Sequence, residues 1–363
     1  MTRTEIERLA ARCFCVGFAD DGPPSELLDL GLGGVVLFGR NLNAASIDEA
    51  AALTEGMRSR NNGPLVVCLD HEGGRVRRSE TCGLSAVAAM RRVGELDDTD
   101  LARDVGRLFA MELRRIGVDL DFAPVVDVDT NPANPVIGDR SFGRDPQQVA
   151  RLASAVIEGL QAEGVAACAK HFPGHGDTHQ DSHHTLPRLP HDRERLDAVE
   201  LVPFHAAAKA GVASIMSAHV VFEALDPTLP ATMSKPAIDV LRKGIAYDGL
   251  VATDCLEMHA ITDDFGVERA VVAAMNAGVD WLLVSHSPER QLAAHAAIVR
   301  AVTDGEISEA RLEQAASRVA AVADQYARGV VQPDETEIRN LRDRVLSRLA
   351  DAAQAPDPTE QLA

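Results

Sequence analysis

The sequence predicts a protein of the α/β class that folds as a single-domain (β/α)8, or TIM, barrel with extra C-terminal helices. Short apolar runs recur eight times along the chain without alternating polar residues, as strands buried on both faces of a parallel sheet do. Longer amphipathic segments separate these runs, which is the order of a barrel. The first run leads into GFADDGPP, which lacks the GxGxxG turn of a doubly wound nucleotide-binding sheet and so disfavours that alternative.

The predicted strands are rich in β-branched residues, and in chain order they cover residues 13–18, 34–38, 65–70, 120–123, 165–171, 214–218, 250–254 and 281–285. Helices are predicted between them where a capping residue precedes an apolar periodicity. One begins after Ser46, with Glu49 three residues on completing a capping box. Another has Asp145 as its N-cap and Pro146 in its first turn, and it ends at Gly164.

After the eighth strand the pattern predicts helices over residues 288–304 and 308–327, and a further helix in EIRNLRDRVLSRLADAA. We therefore assign residues 1–330 to the barrel and residues 331–351 to a C-terminal helical extension. The polar, proline-containing residues 352–363 are expected to form a disordered tail.

Composition narrows the range of functions. The chain carries 55 acidic and 36 basic residues, a formal net charge of −19, and such a chain is repelled by phosphate backbones and anionic lipid. Neither a nucleic acid nor a membrane surface is therefore expected as a partner. The N-terminal sequence does not resemble a signal peptide. The six cysteines show no CxxC spacing and mostly fall in apolar runs, which favours reduced buried thiols. A cytoplasmic protein is expected.

Ionisable and polar residues collect where the predicted strands end, which is where a barrel of this kind carries its active site. They follow five strands: Asp70, Glu72, Arg75, Arg77 and Arg78 after the third, Asp127, Asp139 and Arg140 after the fourth, Lys170 and His171 at the fifth, Ser217 and His219 at the sixth, and Thr253, Asp254, Glu257 and His259 at the seventh. Each alone has a structural explanation, such as a helix cap or a hydrogen-bonded core histidine. Their joint placement predicts an active site.

The stretch KHFPGHGDTHQDSHHTLP, residues 170–187, holds five of the chain's twelve histidines. Its prolines and glycines prevent a helix directly after the fifth strand, so a long functional loop is predicted. Asp181 lies two residues before His183, and side chains at that spacing share a face of an extended segment. A carboxylate beside an imidazole fixes its tautomer and stabilises its protonated form, which suits general acid/base catalysis.

A metal site is the alternative interpretation of this loop. Four histidines, namely His175, His179, His183 and His184, could ligate zinc together with the two aspartates of the stretch. A zinc site in such a barrel normally draws further ligands from the first strand, and CFCVGF offers none. We therefore expect no metal and no cofactor.

The loop resembles the motif of the family 3 glycoside hydrolases, in the branch of bacterial β-N-acetylhexosaminidases (NagZ-type). Further blocks resemble the family in the same order: GVVLFGRN at 34–41, DHEGGRVRR at 70–78, DFAPVVDV and NPVIGDRSFG within 121–143, SIMSAHV at 214–220 and LVATDCLEM at 250–258. The resemblance covers roughly residues 10–300. It implies a barrel enzyme that removes terminal β-linked N-acetylglucosamine with retention of configuration.

The resemblance also implies roles for particular residues. Asp254 matches the nucleophile, His183 matches the acid/base, and Asp181 matches the residue that orients it. The positions that hold sugar hydroxyls in the family match Asp70, Arg78, Arg140, Lys170 and His171, and His219 lies in the pocket by its block position. The implied substrate is a carbohydrate, a cell-wall muropeptide recycled in the cytoplasm, and a monomer is expected.

The chain departs from the family pattern at His71, where glutamine is more common, and in SETCGLSAVAAM, which lacks the usual prolines. Aglycone contacts near residues 79–90 are therefore expected to differ. Three alternatives stay open: phosphorolysis of the same glycosides, a broader β-glycosidase activity within the family, and a non-catalytic sugar-binding or sensor protein on the same barrel. The presence of both Asp254 and His183 counts against the last. The broad β-glucosidases carry a second domain, which we do not expect in a chain of 363 residues, and this favours the acetamido-sugar branch.

Overall fold

The computed structural model describes residues 1–19, 22–42, 46–77, 82–179 and 185–352. Within them, eight parallel strands form one curved sheet: β1 (Phe14–Gly17), β2 (Gly34–Leu37), β3 (Val66–Leu69), β4 (Leu120–Asp121), β5 (Ala166–Phe172), β6 (Ser214–Ser217), β7 (Leu250–Thr253) and β8 (Leu282–Val284). Each lies where the sequence predicts a strand, and the predicted (β/α)8 barrel is confirmed.

The barrel closes between its last and first strands. Strands β1 to β7 pair with their neighbours in chain order, and β8 pairs with β1. A parallel bridge between Ala252 and Trp281 joins the remaining edges, supported by the N–H of Thr253, which donates to the carbonyl of Trp281 at 2.9 Å. The Trp281 ring needs a glycine opposite it, because a Cβ on Gly34 would lie 2.4 Å from the indole.

Alternate side chains of the strands fill the barrel interior. This cluster contains Cys15, Val36, Val66, Cys68, Leu120, Phe122, Ala166, Cys168, Met216, Leu250, Ala252, Trp281 and Leu283. It continues into Val319, Val322, Ala323 and Tyr326 of one C-terminal helix, so that helix covers one end of the interior. All six cysteines are free thiols, and five of them are buried, as the sequence predicts.

The helices within the described residues surround the barrel. They are α1 (Arg3–Arg12), α2 (Ser25–Leu30), α3 (Gly39–Leu42), α4 (Ile47–Arg60), α5 (Met90–Leu96), α6 (Thr99–Arg115), α7 (Pro146–Ala162), α8 (Arg193–Arg195), α9 (Val202–Lys209), α10 (Lys235–Asp239), α11 (His259–Thr262), α12 (Val267–Ala277), α13 (Pro288–Thr303), α14 (Glu309–Tyr326) and α15 (Glu335–Ala352). The described residues also form short 3-10 turns and single π turns, residues 196–200 and 240–244 among them. In the same part of the chain, two further strand pairs lie outside the barrel: His71–Gly73 with Val76–Arg77, and Arg188–Leu189 with Val221–Phe222. None of the described helices combines the length and the apolar character needed to cross a membrane.

The predicted capping residues begin their helices. The Ser46 hydroxyl accepts from the N–H of Glu49 at 3.2 Å, and the Glu49 carboxylate accepts from the N–H of Ser46 at 2.7 Å. Asp145 caps α7 by accepting from the N–H of Gln147 at 2.9 Å. Gly164 follows α7 with a φ of 85°, a conformation that glycine adopts without strain.

The C-terminal helix α15 confirms the helix that the sequence predicts near the end of the chain. Ile338, Leu341, Val345 and Leu349 are buried along one face, and the helix packs against α5 and α6. Of the expected tail, residues 352–363, Ala352 is the last residue of α15, and residues 353–363 lie outside the described residues.

Asp280 links strands and a helix at the N-terminal end of the barrel, next to the junction of β7 and β8. Its fully buried carboxylate accepts from the N–H of Val251 in β7 at 3.1 Å and pairs with Arg242. Arg311 and Arg318 of α14 bind its other oxygen at 2.9 and 3.1 Å. One carboxylate thereby joins β7, the start of β8 and the helix that covers the interior.

Asp280→Ala is expected to lower the free energy of unfolding by about 3–5 kcal/mol, because it leaves buried guanidinium groups without their carboxylate. Urea unfolding followed by circular dichroism measures this. Asp248→Ala is the matched control, since Asp248 also pairs with Arg318 but its side chain is 92% exposed, and it should leave the midpoint close to wild type. Equal midpoints for the two variants would contradict the assignment.

Candidate active site

A cavity of about 580 Å³ opens at the C-terminal end of the barrel. Its lining divides by chemistry. One group is charged or polar: Asp70 and Glu72 follow β3, Arg140 follows β4, and Lys170 and His171 belong to the end of β5. On the other side, Phe38, Met258 and His286 follow β2, β7 and β8. Asp254 follows β7, which stands across the barrel from β3. The cavity therefore holds a carboxylate on one side and a cluster of hydrogen-bonding charges on the other.

Glu72 is the buried centre of the polar side. Arg140 grips its carboxylate with Nε at 2.7 Å from Oε2 and Nη2 at 2.9 Å from Oε1. Lys170 Nζ lies 2.5 Å from Glu72 Oε1 and 2.7 Å from Asp70 Oδ1. These four charged side chains thus form one network, and His171 extends it, since its Nε2 is 3.5 Å from Arg140 Nη2.

These contacts fix the charges. Burial alone would raise the pKa of Glu72, but Arg140 and Lys170 hold it well below its ordinary value. Burial would lower the pKa of Lys170, but Asp70 and Glu72 raise it above its ordinary value. Lys170 is therefore a cation at neutral pH, and it can donate to a hydroxyl oxygen of a ligand as the planar guanidinium of Arg140 can.

A short hairpin presents Glu72. Residues His71–Gly73 pair antiparallel with Val76–Arg77. Gly73 and Gly74 have φ values of 85° and 54°, and a Cβ on Gly73 would lie 2.6 Å from the carbonyl oxygen of Ala88. The Gly-Gly pair of DHEGG is thus required both by the turn and by the segment packed under it.

His71, which departs from the family pattern, belongs to the core. Its ring packs edge-on against Phe109 with centroids 4.6 Å apart, and the backbone N–H of His71 donates to Asp121 Oδ1 at 2.9 Å. Burial lowers its pKa to about 4, so the ring is neutral at pH 7. Histidine in place of the more common glutamine therefore adds a ring that packs in the core, and it adds no charge.

A bulge in β5 brings two consecutive side chains to the cavity. The pairing with β6 shifts register between Lys170 and Phe172. In a regular strand neighbouring side chains point to opposite faces, and a bulge re-aims one of them. Lys170 and His171 accordingly both line the cavity.

Asp127 holds the His171 side chain and the start of the following loop. Its Oδ2 lies 2.7 Å from His171 Nδ1, and its Oδ1 accepts from the N–H of His175 at 2.7 Å. Burial would raise the pKa of Asp127, but the His171 ring lowers it below its ordinary value. Asp127 thus fixes the ring so that Nε2 faces Arg140.

Asp254 is held by the backbone at the end of β7. Its N–H donates to the carbonyl of Ser217 at 3.2 Å, and its carboxylate accepts from the N–H of Cys255 at 2.7 Å. Burial would raise the pKa of Asp254, but His219 and His171 lower it below its ordinary value. The carboxylate is therefore ionised at neutral pH and faces the cavity.

His219, which the resemblance places in the pocket, is not among the residues that line the cavity. It is 1% exposed, with Nδ1 2.9 Å from Thr232 Oγ1 and Nε2 2.9 Å from the carbonyl oxygen of Cys255. Both ring nitrogens thus contact protein groups, and the ring acts on the cavity through its effect on Asp254.

Three predicted site residues, Arg78, Asp181 and His183, lie outside the described residues. The segments beside Asp181 and His183 are anchored. Asp177 accepts from Thr130 Oγ1 at 2.8 Å and lies 2.7 Å from His191 Nε2, beyond the loop. His179 Nδ1 is 3.0 Å from the side-chain amide of Asn131. In the part of the chain that is described, no three His, Cys, Asp or Glu side chains are arranged to hold a metal ion.

Glu72, Asp127 and His175 are site residues to which the sequence resemblance gives no role. Glu72 and Asp127 are acidic residues that follow predicted strands, and this position is the feature of the sequence that could have assigned them to the site. His175 lines the cavity with its ring nitrogen 2.9 Å from Thr178 Oγ1, and burial, with the nearby His171, lowers its pKa to about 4. It is a neutral group at the cavity wall.

The chain is similar to known proteins in sequence and in structure. The sequence profile of the Glycosyl hydrolase family 3 N terminal domain matches residues 5–322. A beta-hexosaminidase of Neisseria meningitidis serogroup C is 40% identical over 273 residues, which are 73% of this chain and 74% of that protein. A beta-hexosaminidase of Chromobacterium violaceum is 38% identical over 310 residues, 84% of each chain.

Among solved structures, a glycoside hydrolase family 3 beta-N-acetylglucosaminidase from Paenibacillus sp. str. FPU-7 superposes with a TM-score of 0.88 at 39% identity. The match covers 94% of this chain and 68% of that one. The likeness therefore extends over most of this chain.

Glu72→Gln is expected to weaken binding of N-acetylglucosamine, the sugar implied by the sequence, by about ten- to a hundredfold, because Arg140 and Lys170 lose the anion that positions them. Isothermal titration calorimetry measures the change. Glu257→Gln is the control, a buried carboxylate at the same end of the barrel that binds the backbone N–H groups of His286 and Ser287. An unchanged affinity in Glu72→Gln would remove Glu72 from the binding site.

Proposed function

Since the chain belongs to glycosyl hydrolase family 3, in which it is a β-N-acetylhexosaminidase, we propose that it is exo-acting and releases terminal β-linked N-acetylglucosamine with retention of configuration. The observation that carries this proposal is the placement of Asp254. Its ionised carboxylate faces a cavity whose other side presents Asp70, Lys170 and Arg140. A retaining glycosidase needs such a carboxylate next to the anomeric carbon of a bound sugar.

The polar cluster would bind the sugar. Lys170 and Arg140 donate to hydroxyl oxygens, and the Asp70 carboxylate accepts from hydroxyl groups. His171 presents Nε2 to the same side. In this arrangement the ring lies between the cluster and Asp254, so the anomeric carbon faces the nucleophile. Arg78 would add a further donor, as the resemblance implies.

In the first step, Asp254 forms a bond to the anomeric carbon as the bond from that carbon to the aglycone oxygen breaks. His183, in its protonated form and oriented by Asp181, gives its proton to the departing oxygen. In the second step, neutral His183 takes a proton from water, the water oxygen bonds to the anomeric carbon, and the bond to Asp254 breaks. Two inversions at one carbon give net retention.

The proposed physiological substrate is a muropeptide in which N-acetylglucosamine is linked to a muramic or anhydro-muramic acid peptide, as part of peptidoglycan recycling in the cytoplasm. The support is family analogy together with the size of the cavity, which suits one sugar ring. We also propose that the enzyme acts as a monomer, because a single barrel supplies both Asp254 and the polar cluster that the proposed reaction uses.

Asp254→Asn should reduce turnover of 4-nitrophenyl β-N-acetylglucosaminide by several orders of magnitude, because an amide does not form the glycosyl ester. A 5-fluoro glycosyl reagent should label the wild type on Asp254, read by peptide mass spectrometry. In phosphate-free buffer only water can accept the glycosyl group, so full turnover in that buffer indicates hydrolysis, and turnover that requires added phosphate indicates phosphorolysis. Asp263→Asn, an exposed carboxylate in the same region, should keep full turnover. A label on another residue would contradict the assignment.

His183→Ala should lose far more activity on a disaccharide than on the nitrophenyl substrate, because nitrophenolate leaves without a proton and a sugar alkoxide does not. With the nitrophenyl substrate, the glycosyl-enzyme should accumulate as a burst, and azide should rescue turnover as a glycosyl azide. His184→Ala is the neighbouring control and should keep substantial activity on both substrates. If His184→Ala shows the leaving-group dependence and His183→Ala does not, the acid/base is misassigned.

A further inference from the structure

Helix α15 lies beyond residues 5–322, the part of the chain that matches the family profile, yet it is joined to the loop that follows β3. The junction is a charged one. Glu112 of α6 is fully buried, and its carboxylate binds both Arg342 of α15 and Ser85 of the β3 loop. A buried carboxylate needs such partners, so these three elements are held to one geometry.

The contacts around Glu112 are short and numerous. Its Oε2 accepts from the N–H of Ser85 at 2.8 Å, and its Oε1 accepts from the Ser85 hydroxyl at 2.6 Å. Arg342 Nη2 donates to Oε1 at 2.7 Å, and Arg342 Nε lies 2.6 Å from Ser85 Oγ. The guanidinium thus touches the carboxylate and the serine together, which a single ammonium could not do as well.

Ser85 begins the segment that supports the Glu72 hairpin. Two residues on, the carbonyl of Val87 accepts from the N–H of Gly74 at 2.9 Å. The segment and the hairpin are also in close contact, since a Cβ on Gly74 would lie 2.8 Å from Ala89 Cβ. A shift of this segment would therefore be passed directly to the hairpin and to Glu72.

We propose that Arg342 is a positioning residue for the active site. Through Glu112 and Ser85 it holds the segment under the hairpin, and the hairpin keeps Glu72 in contact with Arg140 and Lys170. The C-terminal helix thereby sets the geometry of the sugar-binding side of the cavity without touching the sugar. This inference rests on the proposed function, because it assigns that side to the sugar.

The remaining contacts of α15 make the test possible. Its apolar face, Ile338, Leu341, Val345 and Leu349, packs against the barrel helices independently of Arg342. Arg344, on the same helix, pairs with Asp104 of α6 at 2.8 Å at an exposed site. Arg344→Ala thus removes an α15–α6 ion pair that does not reach the β3 loop.

The experiment compares full-length Arg342→Ala, Arg342→Lys and Arg344→Ala with the wild type, well below each melting temperature. N-acetylglucosamine affinity is measured by calorimetry, and kcat and KM are measured on 4-nitrophenyl β-N-acetylglucosaminide. In Arg342→Ala, Kd and KM should rise about three- to tenfold, with kcat changing less because Asp254 stands on the other side of the barrel. Arg342→Lys should give a smaller rise, and Arg344→Ala none.

A purely structural role for Arg342 would lower the melting temperature and leave Kd and KM unchanged, and that result would overturn the proposal. An equal rise in Arg344→Ala would overturn it as well. If Arg342→Ala does not fold, Arg342→Lys and Ser85→Ala decide the question, and unchanged Kd and KM in both overturn it. A wild type that neither binds N-acetylglucosamine nor cleaves the glycoside would refute the proposed function first and the inference with it.

Discussion

A carboxylate buried between two cations determines how this active site is built. Removing an ion from water costs several kcal/mol unless partners replace the lost hydration. Glu72 meets that requirement only if Arg140 and Lys170 are both in place. The three residues belong to three consecutive strands or the loops after them: Glu72 follows β3, Arg140 follows β4, and Lys170 lies at the end of β5. The positions of these three segments therefore depend on one another, because displacing any one of them would break an ion pair of buried Glu72. The polar side of the cavity is set before any sugar arrives, which reduces the reorganisation that binding would otherwise require.

Buried carboxylates paired with cations also occur at the opposite end of the barrel, where they stabilise the fold. Asp119, just before β4, accepts from the N–H of Val67 in β3 at 2.8 Å and binds Arg58 of α4 at 2.6 Å. Asp280, just before β8, does the corresponding work where the barrel closes. At the N-terminal end, paired charges hold strands and helices together. At the C-terminal end, paired charges also leave donors facing a cavity. Stability and chemistry are thus assigned to separate ends of one scaffold.

The fold was predictable because its signals are local. Eight unbroken apolar runs predict buried parallel strands, and Ser46 and Asp145 mark helix starts through contacts within three residues. The position of the site was predictable for the same reason, since polar residues at strand ends must meet on one face. The pairing within the site was not. The bulge that turns both Lys170 and His171 to the cavity has no sequence signal, and Arg342 lies 230 residues from Glu112, so no spacing links them. His219 shows the same limit, because its block position does not reveal that protein groups contact both of its ring nitrogens.

The end of α14 that fills the base of the barrel has a consequence for how the chain is made. Val319, Val322 and Tyr326 complete the interior cluster, but they lie after all eight strands in the sequence. During synthesis the strands leave the ribosome first, and their apolar interior stays open to water at one end until this helix emerges. A chain stopped between β8 and α14 would hold every catalytic residue assigned here and still display a hydrophobic opening, the kind of surface that chaperones bind and that drives nascent chains to aggregate.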